Sequence, residues 1–320
     1  MIGSTKAWLG TDLTKADVTF TFSAAAEAEI VTYLEQLHER SAKLDRDRLP
    51  MARTRLEVEE LRAVVDEIRG FAVVDPLAAV RAPTADRAFA WLLGCLLGEP
   101  VEQSRDGIKV VQVYDRDRTL RMEDGARYHQ TRQGGSIHTD NVNRPETWDY
   151  LIMACLHPAM IGGESIVVSG FTVHELLLER APRALEVLAE DFWWERRGFS
   201  GSLFRAPVLF FSQRGEPQFR YLREYLESAH RLADEPLRGD QLWALDTLDS
   251  TLELSELQFR HKLAPGEILV IDDKQMFHGR TSFSDFLEAG PYEPGQDPAD
   301  LENRIFRRCF DRLWISKRAA

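Results

Sequence analysis

Cysteine is scarce: three residues in 320, at positions 95, 155 and 309. That is too few, and too widely spaced, for a disulfide framework or a paired-cysteine zinc site. Each lies among apolar neighbours, so the expectation is a buried thiol in a reducing cytoplasm. Positive charge is also short, with 52 acidic residues against 40 lysines and arginines, a formal net charge of −12. Grip on a phosphate backbone needs clustered cations, so a nucleic-acid partner is not expected. No stretch approaches the ~20 apolar residues of a membrane span, and Met1-Ile2-Gly3-Ser4-Thr5-Lys6 opens without a signal-type apolar core. The reading is therefore a soluble, cytoplasmic protein with a small-molecule partner. Repeats and low-complexity tracts are absent, and a composition 44% hydrophobic and 29% charged supports a large core without staples.

The first hundred residues read mainly as helix. Ser23 offers a cap, after which Ile30, Tyr33, Leu34 and Leu37 recur at helical spacing. A second helix spans about Leu56 to Ile68, closed by Gly70, and a third about Asp86 to Leu97. The pattern changes near Lys109, where short β-branched and aromatic runs follow: Val110 to Tyr114, Tyr150 to Leu156, Glu164 to Val168, Val208 to Ser212 and Glu267 to Ile271. Helix interrupts them from Phe171 to Glu190, broken at Pro182, and again from Leu237 to Leu254. This order predicts one α+β domain over 1–320, helical in 1–108, with an antiparallel double sheet in 109–320 and the helices buttressing one face. Asp285 to Asn303, rich in glycine and proline, predicts a long loop.

The informative segment is Gly134-Gly135-Ser136-Ile137-His138-Thr139-Asp140. Residues two apart on a strand share a face, so His138 and Asp140 can reach one ion. A lone His-x-Asp also fits an ordinary polar strand end. Far downstream, Gly266 leads an apolar strand to Met276-Phe277-His278-Gly279-Arg280. Two histidines and a carboxylate make the facial triad of non-haem iron, which leaves three adjacent positions open.

Together these segments, from about Val110 to Trp314, resemble the taurine dioxygenase and clavaminate synthase-like superfamily of iron(II)/2-oxoglutarate oxygenases. The resemblance rests on the His-x-Asp strand, the Gly162-Gly163-Glu164-Ser165 turn, the distal His-Gly-Arg and a late arginine strand. It implies a double-stranded β-helix (jelly-roll) core with His138, Asp140 and His278 as iron ligands. It also implies Fe(II), 2-oxoglutarate and O2 as cofactor and co-substrates.

A guanidinium suits the distal carboxylate of 2-oxoglutarate, being permanently charged and bidentate. Arg304 is the first choice and Arg308, on the same strand face, the second. The loop at 285–303 sets both further from His278 than relatives place theirs. Arg280 reads equally as a structural ion-pair residue. Ser165 has two readings, a hydroxyl donor to the co-substrate or a plain turn serine. For the prime substrate, Gln112 and Tyr114 lie on a strand that relatives use for the pocket, and Gln130, Arg132 and Gln133 precede the metal strand. The segment with Arg220 and Tyr221 resembles a lid, with a surface strand and amphipathic helix as the competing reading.

The activity implied is hydroxylation of an unactivated carbon of an amino-acid-like or phosphonate-like metabolite in a biosynthetic pathway, with desaturation and cyclisation as variants. Halogenation is disfavoured because Asp140 is present. A non-catalytic binding module on the same fold and a zinc hydrolase are the alternatives.

Overall fold

The structure is a computed structural model that describes residues 4–39, 51–78, 83–116, 121, 128–196, 199, 202–285 and 307–317. Eleven of its strands build two sheets around the candidate site. They are β1 (Thr19–Phe20), β2 (Phe71–Val74), β3 (Glu99–Val101), β4 (Val111–Val113), β5 (Gly135–His138), β6 (Tyr150–His157), β7 (Ser165–Ser169), β8 (Gln258–His261), β9 (Ile268–Asp272), β10 (Met276–Arg280) and β11 (Cys309–Ser316). The larger sheet runs β1-β2-β9-β6-β11-β3, with β4 also paired to β11; the smaller runs β8-β7-β10-β5. Only the β1–β2 pair in these sheets is parallel among the described residues.

Strand parity divides the side chains of the larger sheet between two cores. On β9, Leu269 and Ile271 face the smaller sheet while Ile268 and Val270 face the amino-terminal helices. β6 does the same with Leu151 and Cys155 against Ile152 and Ala154. Burial on both faces is why these strands read as continuous apolar runs. The outer face of the smaller sheet, with Ile166, Val168 and Phe277, packs under the helices Gly170–Arg180, Pro182–Leu188, Arg223–Leu232 and Gly239–Leu252. Helices thus cover both outer faces, a correction to the expectation of buttressing on one, because the apolar stripes after residue 170 need a sheet face of their own.

Local signals set the element ends. Ser23 Oγ accepts the N–H of Ala26 at 3.3 Å and is itself held by Glu57. The second helix begins earlier than expected, at Ala52, and runs on as a π turn to Arg69, where Gly70 ends it at φ 81°. Pro182 starts a fresh helix after Arg180, as the sequence predicts. Strands β1 to β3 fall within 1–108, so this helical part contributes both edge strands and the interior β2 to the larger sheet. The expected loop lies, beyond Asp285, outside the described residues, as does Arg304. Cys95, Cys155 and Cys309 are buried and form no disulfide. No helix among the described residues is long and apolar enough to cross a membrane.

Candidate metal centre

His138 ends β5 and pairs in register with His278 on β10, so the two rings sit side by side on neighbouring antiparallel strands, centroids 4.4 Å apart. Asp140 lies just past the strand, in a turn pinned by its own N–H to Asp273 Oδ1 at 3.0 Å and by Val142 N–H to its carbonyl at 2.9 Å. One oxygen, Oδ1, lies 3.6 Å from His138 Nε2 and 3.9 Å from His278 Nε2. One donor atom from each residue falls within 4.8 Å of the others. These separations suit three ligands on one face of an ion.

The proton arrangement fits as well. His138 Nδ1 faces the Ser136 carbonyl at 2.6 Å, which assigns the proton there and leaves Nε2 with its lone pair toward the site. Burial, reinforced by neighbouring His138, pushes the His278 imidazole down to about 3, so it is neutral near pH 7. Burial alone would raise the Asp140 carboxyl, but Arg312 and the two histidines outweigh it and hold it well below the usual carboxylate range. Two imidazoles and one carboxylate are the donor set that iron(II) takes.

Both sheets line the cavity beside these atoms. Val113, Met153, Ile166, Leu269 and Ile271 supply apolar walls, and His129, Ser165, Arg280, Arg308 and Arg312 supply polar ones. Arg308 is buried and its guanidinium carbon sits 4.0 Å from the Phe310 ring centre. Gly163, at φ 72°, lets it pass: a Cβ there would lie 3.2 Å from Arg308 Cδ and Nε. Arg280 donates to the carbonyls of Thr131 and Gln133. Arg312 pairs with Asp140 Oδ2 at 2.9 Å, and the Trp314 indole N–H donates to the same oxygen at 2.8 Å.

The sequence-derived candidates divide. His138, Asp140 and His278 come together, and Arg308 and Ser165 line the same cavity, Ser165 as the first residue of β7. Gln112 and Tyr114 do not reach it. They line a separate cleft with Arg87 and Trp91, because Val113 between them points to the metal cavity and parity turns its neighbours away. Arg132 pairs through Nε with Asp115 Oδ2 at 2.8 Å, the Gln130 carbonyl accepts the Arg116 N–H, and the Gln133 carbonyl is taken by Arg280. Arg220 and Tyr221 follow a strand, Pro217–Phe219, and are buried. Arg220 donates to the carbonyls of Asn141 and Pro145, while Tyr221 exchanges hydrogen bonds with Thr139, so the pair braces the turn behind Asp140. Sequence reasoning missed His129, Asp273, Arg312 and Trp314. The last two were accessible from parity, since they follow Arg308 at even spacing.

Two histidines and a carboxylate beside buried arginines, set between two sheets, define a non-haem iron oxygenase centre. Residues 37–309 match the taurine catabolism dioxygenase TauD, TfdA family, and the chain belongs to that family. It is a 2-oxoglutarate-dependent iron(II) oxygenase. FR-33289 synthase of Streptomyces rubellomurinus is 25% identical over 277 residues, 83% of this chain and 79% of the relative. Taurine hydroxylase-like protein SAT17 of Stachybotrys chartarum is 24% identical over 292 residues, 87% and 74% of the two chains. The fold is shared with an asparagine oxygenase solved with Fe(II), 3-hydroxyasparagine and succinate, at TM-score 0.64 and 18% identity over 93% of each chain. It is also shared with the non-haem iron oxygenase OrfP solved with Fe and α-ketoglutaric acid, at TM-score 0.60 and 17% identity over 94% of each.

Proposed function

We propose that His138, Asp140 and His278 hold the iron, that Arg308 and Ser165 receive the carboxylate of 2-oxoglutarate, and that the enzyme hydroxylates a small polar metabolite. The reading includes a double-stranded β-helix core, a single domain over the chain, and action in the cytoplasm within a biosynthetic pathway. The observation that carries it is the convergence of Asp140 Oδ1 with two imidazole Nε2 atoms beside Arg308. When bound, iron(II) with 2-oxoglutarate and O2 supplies the oxidising power that replaces a C–H hydrogen by hydroxyl, with succinate and carbon dioxide as co-products.

The chain's own groups do the rest. Neutral His278 and deprotonated Asp140 are ready to bind without releasing a proton near pH 7. Arg308, stacked on Phe310, presents a fixed cation that suits a bidentate carboxylate. The apolar wall of Met153, Leu269 and Ile271 keeps water from the reacting region. An amino-acid-like substrate is the class favoured by the ligands of the structural relatives, hydroxyasparagine in one and L-arginine derivatives in the other. A phosphonate-like metabolite is the second class named from the sequence.

Anaerobic protein with Fe(II) and 2-oxoglutarate should show a weak visible charge-transfer band. Free amino acids and aminoalkylphosphonates would then be screened for succinate formation. Absence of both the band and iron-dependent 2-oxoglutarate binding would overturn the assignment.

A further inference from the structure

Apart from Oδ1, which faces the two histidines, every polar atom of Asp140 has a partner among the described residues outside the triad. Its N–H goes to Asp273, its carbonyl accepts from Val142, and Oδ2 receives both Trp314 Nε1 and Arg312 Nη1. Both donors come from one face of β11, and neither is loosely held. Trp314 is buried and stacks on Trp148 with centroids 3.9 Å apart and planes 14° from parallel. Arg312 is fixed through Nε to Gln103 Oε1 at 2.9 Å. A carboxylate free at both oxygens can swing and offer an ion either one or two of them. Here the second oxygen is occupied.

We propose that Trp314, with Arg312, is a positioning residue that fixes Asp140 as a one-oxygen ligand, and that its indole N–H rather than its bulk performs this. The proposal rests on Asp140 being a metal ligand. Holding Oδ2 keeps the carboxylate from taking a second position on the ion, so those positions stay open for the co-substrate. A merely structural tryptophan would need its ring and its stack on Trp148, but not its N–H.

The test is anaerobic titration of the full chain with Co(II), read as a dissociation constant and as the visible ligand-field spectrum of the bound ion. Two variants separate ring from N–H. Trp314→Phe keeps an aromatic ring against Trp148, and benzothienylalanine at 314 replaces N–H by sulfur in a bicycle of nearly the same shape. Both are expected to bind Co(II) about ten- to a hundredfold more weakly, with an altered spectrum, the usual range for losing a partner of a metal ligand. Wild-type affinity and spectrum in both would overturn the proposal. So would a loss in Trp314→Phe alone, since ring volume would then be the cause. If Trp314→Phe does not fold, the sulfur analogue decides by itself. Asp140→Ala runs alongside: Co(II) affinity equal to wild type there would remove the ligand assignment, and this proposal with it, whereas a loss there with both 314 variants unchanged removes only this proposal.

Discussion

Asp273 Oδ1 accepts the backbone N–H of Asp140 at 3.0 Å and stands 3.6 Å from Nδ1 of His278, so one buried carboxyl group touches both ends of the metal triad. Burial and the nearby Asp140 charge push that carboxyl well above the usual range. Asp273→Ala should therefore weaken metal binding by about ten- to a hundredfold. Asp273→Asn keeps an oxygen acceptor for the Asp140 N–H and should lose less. Anaerobic metal titration of the two variants measures this, and equal losses would show that acceptance by Oδ1 is not what matters.

Arg308→Ala removes the buried cation proposed to meet 2-oxoglutarate. Truncating one partner of a buried charge pair typically costs ~2–5 kcal/mol, a roughly thirty- to several-thousandfold weaker affinity. Arg307→Ala, at a residue outside the metal cavity lining, should leave the 2-oxoglutarate requirement near wild type. Apparent affinities of the two variants check the assignment, which reverses if Arg307→Ala carries the loss.

Gly163→Ala should act twice. At φ 72° an alanine costs about 1–2 kcal/mol in the left-handed region, and its Cβ would press Arg308 at 3.2 Å. Gly215→Ala, at φ 76° with nothing within 4 Å of the new Cβ, should lose stability only. Urea unfolding and 2-oxoglutarate affinity, measured on both, separate backbone strain from displacement of Arg308.

Glu267 governs part of the acid stability. Burial would raise its carboxyl, but hydrogen bonds from His261, Lys15 and the Ala264 N–H bring it down to about 2. Its folded value lies below the ordinary value of 4.5, so the stabilisation is complete above about pH 4.5 and lost as pH falls toward 2. Allowing for the exposed Lys15, Glu267→Gln should be less stable than wild type by about 2 kcal/mol at neutral pH. That difference should shrink through the acid range, and an undiminished difference at the lowest pH would contradict the linkage.

The metal triad was legible because its signal is local chemistry: a His-x-Asp at a strand end and a distal His-Gly after an apolar strand. The face of a short strand was not. In Val111–Val113 the valines alternate with Gln112, whose amide suits a polar pocket or a separate cleft alike, and only the strand's place beside β11 decides that Val113, not Gln112 or Tyr114, faces the metal. Trp314 and Arg312 were signalled only by their parity with Arg308. The strand was expected to resume at Arg304, which lies outside the described residues, and the groups that reach Asp140 stand further along it, within Cys309–Ser316. Asp273 had no signal of its own, since the stretch from Gly266 to His278 was read as a strand and nothing in it shows that this carboxyl group meets the Asp140 backbone. The second helical layer was misjudged because periodicity reports that a helix has an apolar stripe, not which sheet receives it.

Strand β11 is an interior strand of the larger sheet, pairing with β6 on one side and with β3 and β4 on the other, and it carries the groups that secure Asp140. The site is therefore assembled from stretches near 138, 278 and 312 that no local segment can bring together. Closing loops of that span costs entropy that contacts between the sheets must recover, so the three ligands meet only where both sheets are in place. Metal capture followed during refolding is therefore expected to report completion of the two-sheet topology, and capture that precedes sheet formation would contradict this.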